Sequence, residues 1–105
     1  MRLGFENGLK PDYKPPEEFV YAVGARMSLE RGVIESGLQI AQDYHQRGFS
    51  SSSPRTIAAS ALYLACSENG SRRTQHEIAI KFGIAEYTVR EVSAKIGKFL
   101  RCYNG

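Results

Sequence analysis

The stretch from Arg55 to about Glu68 is apolar on nearly every side when wound as a helix, carrying Ile57, Ala58, Ala59, Ala61, Leu62, Tyr63, Leu64 and Ala65. A helix with no polar face is stable in water only when other helices wrap it. Its alanines let those neighbours approach closely. The ends are also legible. Ser53 is suited to cap the helix, Pro54 falls at the first helical position where no amide proton is needed, and Asn69-Gly70 closes it. The apolar run from Ile57 to Cys66 is broken by Ser60 and is too short to span a bilayer. With 105 residues there is room for one domain and one core. The predicted architecture is an all-α bundle built around this helix.

The flanking segments supply the wrapping helices. Residues 1–14 show no periodicity and read as a leader or linker ahead of a domain at 15–105. Pro15-Pro16 marks a helix start, with Glu17 and Glu18 at the positive end of its dipole. Phe19, Val23 and Met27 recur at four-residue spacing and give one apolar stripe. Ser28 is expected to cap a second helix from about Leu29 to near Gly48, with Val33, Ile34, Leu38, Ala41 and Tyr44 facing inward. No internal repeat and no convincing strand pattern is visible.

After Gly70 the chain carries its most specific signal. Thr74-Gln75-His76-Glu77 is a capping box, in which Thr74 caps and Glu77 reaches back. The short helix it opens ends at Gly83, where a tight turn needs left-handed backbone, and Ala79 is small where two crossing helices press closest. Ile78, Phe82, Ile84, Val89 and Val92 are the positions that must face inward when two short helices cross, and the stripe continues through Ile96, Phe99 and Tyr103. These features predict a helix-turn-helix over residues 74–103. An αα-hairpin with the same packing and no nucleic-acid partner is the structural alternative.

In that arrangement Ala85, Glu86, Tyr87, Arg90 and Glu91 point outward from the start of the second helix, the part that meets base edges in a major groove. Arg90 can donate two hydrogen bonds to a guanine edge, and Tyr87 offers a ring to a thymine methyl and a hydroxyl to base or phosphate. Arg72, Arg73 and Lys81 flank the first helix of the motif. Together with its amino end at Thr74 and Gln75 they are the expected phosphate contacts.

Charge points the same way. The net charge is +3, but residues 1–70 hold seven Lys/Arg against eight Asp/Glu, whereas residues 71–105 hold seven against three. A basic final third on a near-neutral body suits an anionic partner. The two cysteines, Cys66 and Cys102, form no CxxC pair, and His45 and His76 are the only imidazoles, so neither a structural metal nor a cofactor is expected. Cys66 lies in the apolar helix and reads as a buried, inert thiol; an enzyme pairing it with His45 would lack access and an orienting third group. No catalytic residue is expected. Arg2, Gly4, Glu6, Asn7 and Lys10 leave no apolar stretch for a signal peptide, so the expectation is a soluble intracellular chain.

Three stretches carry a family resemblance: Ser53-Pro54 through Ala58-Ala59 to Ala61-Leu62-Tyr63-Leu64-Ala65; Arg73-Thr74-Gln75 with Glu77-Ile78-Ala79; and Thr88-Val89-Arg90. Over roughly residues 16–100 the chain resembles the second cyclin-like repeat of transcription factor IIB and its archaeal counterpart, transcription factor B. The resemblance implies a five-helix cyclin-like bundle. It also implies a general initiation factor that docks on the TATA-binding protein–promoter complex and helps recruit RNA polymerase. Its helix-turn-helix would read the B recognition element of double-stranded promoter DNA, with Tyr87 and Arg90 where the family's base-reading residues stand. The location would be cytoplasmic in an archaeon and nuclear in a eukaryote, and the chain would act as a monomer. Against the family pattern, Tyr87 replaces a small aliphatic residue, Glu91 an amide, Ala94 a basic residue, His76 a lysine, and Ala85 a capping Ser or Thr. One repeat without a zinc ribbon suggests a fragment of a larger factor or a divergent relative, binding DNA weakly alone.

Two other readings use the same features. A protein-binding cyclin-like module would keep the helix-turn-helix as a relic, in keeping with Glu86 and Glu91 on its outward face. A bacterial-type repressor domain would dimerise on a palindrome.

Overall fold

Five helices, and no strand, make up the regular structure of the residues described in the computed structural model, which are 15–47, 52–71 and 73–104, with side chains as far as 102. The leader at 1–14, Gly48, Arg72 and the side chain of Tyr103 lie outside the described residues. In chain order the helices are α1 (Pro16–Arg26), α2 (Arg31–Arg47), α3 (Pro54–Glu68), α4 (Gln75–Phe82) and α5 (Glu86–Asn104).

The all-round apolar segment is the hub. Helix α3 packs against each of the other four, and Ala58, Ala59, Ala61, Leu62, Ala65 and Cys66 have no exposed surface at all. Its start is fixed as the sequence predicts: the Ser53 hydroxyl accepts from the Thr56 amide at 3.2 Å, with Pro54 first in the helix. Burial of a side chain such as Leu62 contributes about 1.5–3 kcal/mol.

Helix α1 starts behind Pro15 and turns a slightly different face inward than its stripe suggests. Val23 and Met27 are buried, but Val20 occupies the central position while Phe19 is only partly covered. The α1–α2 connection also departs from expectation. Ser28 does not cap α2; it sits in left-handed backbone at φ 58° and terminates α1. The Leu29 amide donates to the Gly24 carbonyl at 3.1 Å and the Ser28 amide to the Ala25 carbonyl at 3.0 Å, the paired bonds of a Schellman ending. Helix α2 begins two residues later than expected.

The inward face of α2 contains Val33, Ile34, Gly37, Ile40, Ala41 and Tyr44, whereas Leu38 is half-buried. Gly37 explains the rotation. A Cβ there would stand 3.1 Å from a Leu62 methyl, 3.2 Å from a Val20 methyl and 3.5 Å from the Leu62 Cα. Thus α2 rests on the backbone of α3. The edge-on pair of Tyr44 and Phe99, with ring centroids 5.2 Å apart, ties α2 to the long helix α5.

Candidate nucleic-acid interface

Helix α4 is short, eight residues, and both of its ends are locked. The Thr74 hydroxyl accepts from the Glu77 amide at 3.0 Å while the Glu77 carboxylate accepts from the Thr74 amide at 3.1 Å, completing the predicted capping box. At the other end Gly83 adopts φ 69°, and the Ile84 amide donates to the Ala79 carbonyl at 3.0 Å. A Cβ at Gly83 would meet no atom, so the glycine serves the backbone conformation alone. Ile78, Ala79 and Phe82 are buried in front of this turn, and Val89, Val92 and Ile96 behind it. The Ala85 carbonyl accepts from the Val89 amide at 3.2 Å, so α5 starts behind an alanine, which brings no side-chain cap.

The outward face of α5 is free of the bundle. Tyr87 is 64% exposed and the Arg90 side chain 54% exposed, three residues apart on one face, and Ala85, Glu86 and Glu91 are exposed beside them. Two contacts shape this face. Glu86 lies 3.9 Å from the Arg90 guanidinium and 3.3 Å from the Nδ1 of His76 on α4. The first turn of α5 is thereby tied to α4 through one carboxylate, and Arg90 is drawn toward the helix start.

The expected phosphate contacts divide into two groups. Arg73, Thr74 and Gln75 line one open cleft with Tyr63, Ser71 and Glu86, where the end of α3 meets the starts of α4 and α5. Lys81 stands at the opposite end of α4 and borders a different cleft, with Arg26 and Arg55. Arg73 is also less available than its sequence position suggests. It donates to the Met27 carbonyl at 3.3 Å and pairs with Glu77 at 3.6 Å, so its guanidinium is engaged within the domain. The face extends further than expected on α5: Lys95, Lys98 and Arg101 are exposed, at the three- and four-residue spacing that continues the row of Arg90 and Glu91. The same spacing rule that selected Tyr87 and Arg90 could have found them.

Cys66 is fully buried, and burial pushes its thiol above the ordinary cysteine range, partly offset by Arg73 and by a hydrogen bond with Ser71. A thiol so placed is a poor nucleophile. Cys66 and Cys102 are both free, and among the described residues no group of His, Cys, Asp and Glu could hold a metal. None of the described helices is long and apolar enough to cross a membrane.

An all-α bundle that ends in a helix-turn-helix, with the outward face of the second helix uncovered, defines the class. The family described as "Transcription factor TFIIB repeat" matches residues 10–98. Curated relatives named transcription initiation factor IIB include that of Aeropyrum pernix, 31% identical over 93 residues, covering 88% of this chain and 29% of that protein. The Archaeoglobus fulgidus protein is 33% identical over 97 residues, covering 88% of this chain and 30% of its own length. Transcription initiation factor IIB 1 of Thermococcus kodakarensis is 34% identical over 76 residues, covering 71% of this chain and 25% of its own. The chain belongs to the TFIIB repeat family, whose repeat is a cyclin-like all-α fold, as its five helices are. It spans less than a third of the length of these relatives.

Proposed function

We propose that this chain is a promoter-binding repeat of a general transcription initiation factor, corresponding to the second of the family's two repeats. The start of α5 enters the major groove at the B recognition element, where Tyr87 and Arg90 meet base edges. Arg72, Thr74, Gln75 and Lys81 contact phosphates, and Arg73 adds its positive charge from a position held by Met27 and Glu77. The body docks, as a monomer, on the TATA-binding protein–DNA complex and takes part in recruiting RNA polymerase. The archaeal source of the relatives named above favours a cytoplasmic setting.

The single observation that carries this reading is the exposure of Tyr87 and Arg90 together on the outward face of α5, immediately after a left-handed glycine turn. A mobility-shift assay tests it. Adding the chain to TATA-binding protein on a promoter duplex should give a further shift that strengthens when a purine-rich element lies upstream of the TATA box. A shift indifferent to that element, or none, counts against base reading.

A second reading, a protein-binding cyclin-like module, draws support from Glu86 beside Arg90 and from exposed Glu91, which place two carboxylates on the reading face. Salt titration separates the two. DNA binding through phosphates weakens linearly in log K against log salt, whereas a protein-only module shows no such duplex binding.

A further inference from the structure

We propose that the cleft between α1, the start of α3 and the C-terminal end of α4 is a docking site for an acidic peptide segment anchored by one apolar side chain. This surface shares only Lys81 with the proposed DNA contacts: its lining includes neither Tyr87, Arg90, Thr74 nor Gln75. Arg26, Arg55, Phe19 and Ile80, which the docking relies on besides Lys81, take no part in the proposed DNA contacts.

Two features of the cleft occur together. Ile80 sits on the outer side of α4 with 62% of its surface exposed, and the partly buried Phe19 lines the same cleft. Around this apolar floor stand Arg26, Arg55 and Lys81, and no carboxylate belongs to the lining. Among the described residues none of these three cations has an ion-pair partner, although Arg31, Arg73 and Arg90 each have one. The Arg55 guanidinium rests over the Phe19 ring, 5.3 Å from its centre, a cation–π contact that favours this position of the side chain.

Charge complementarity selects the occupant. Carboxylates can take paired hydrogen bonds from Arg26 and Arg55 and a point contact from Lys81, and an aliphatic or aromatic side chain covers Ile80 and Phe19. A duplex backbone would satisfy the cations but leave the 62% exposed Ile80 uncovered. At about 290 Å³, wide open to solvent, the cleft suits one or two side chains better than a small-molecule ligand.

The test uses the 105-residue chain and a fluorescein-labelled peptide of Asp and Glu around a single Phe. Controls are the same peptide with serine for the phenylalanine, and one with Asn and Gln for the acids. Anisotropy should show salt-sensitive binding of the acidic Phe peptide, about tenfold weaker for the serine version and lost for the uncharged one. On labelled protein the Ile80 methyl and Phe19 ring signals should shift while Tyr87 stays still. Ile80→Ser and Arg55→Gln, both at exposed positions, should each weaken the peptide severalfold with circular dichroism unchanged. The proposal is overturned by equal binding of the serine peptide, by an unmoved Ile80 methyl in the wild-type chain on adding the acidic Phe peptide, or by a plain DNA duplex that shifts the Phe19 ring signals as strongly as that peptide does. Sedimentation showing a dimer that covers Ile80 would equally overturn it.

Discussion

The guanidinium of Arg73 donates to the main-chain carbonyl of Met27 at 3.3 Å, joining residues 46 apart in sequence. Met27 closes α1, and Arg73 stands immediately before the cap of α4. This bond and the ion pair with Glu77 fasten the entry of the helix-turn-helix to the far end of the first helix. Arg73 is thus a strut as well as a charge beside the proposed DNA.

Arg73→Ala should therefore lower stability even without nucleic acid, by about 1 kcal/mol, because a partly buried charged hydrogen bond and an ion pair are lost. Thermal unfolding should show a decrease of about 5 °C. Binding to all duplexes should weaken alike. A variant that binds DNA less well with an unchanged melting temperature would reduce Arg73 to a phosphate contact.

Ser28 holds left-handed backbone that glycine adopts without a steric cost. Ser28→Gly should stabilise the chain by up to about 1 kcal/mol, the relief of strain exceeding the extra flexibility of the unfolded glycine. Chemical denaturation measures this as a higher midpoint with the same slope. Ser28→Val should move the midpoint the other way.

Gly37 sets how closely α2 lies on α3. Gly37→Ala puts a methyl 3.1 Å from a Leu62 methyl and 3.2 Å from a Val20 methyl. The expected cost is about 1–3 kcal/mol from overpacking, read from the same denaturation curves.

The two thiols should behave oppositely. Cys102 is exposed and should react with an alkylating reagent in the folded chain, whereas Cys66 should react only on unfolding. The sign of its pH dependence follows from burial. Because burial raises the Cys66 pKa in the folded state, the neutral thiol supports folding fully below the ordinary cysteine value, and that contribution is lost as pH rises from there through the raised folded value. Wild type should thus lose more stability at alkaline pH than Cys66→Ala, as measured by denaturation across that range.

Much of this organisation is legible in the sequence where a short-range rule decides it. Ser53-Pro54, the Thr74–Glu77 box and Gly83 each combine a residue type with a backbone requirement within four positions, and all three behave as their chemistry dictates. The outward face of α5 follows from spacing alone. Ser28 is different, since a small polar residue suits both a helix start and a helix end, and only the sign of φ distinguishes them. The rotation of α2 also escapes a hydrophobic pattern, because Gly37 contributes contact by having no side chain while Ile40, rather than Leu38, turns inward. Arg73 shows the same limit at longer range. Its partner Met27 is distant in sequence and offers a carbonyl, which every residue has.

The central claim is that Arg90 reads a base. Selecting bound sites from a duplex library in the presence of TATA-binding protein, for wild type and Arg90→Ala, measures it directly. The variant should bind the preferred site about 1–3 kcal/mol more weakly and lose preference at one base pair, keeping its affinity for unrelated duplexes. The same selected sequences and the same affinity for both proteins would contradict it.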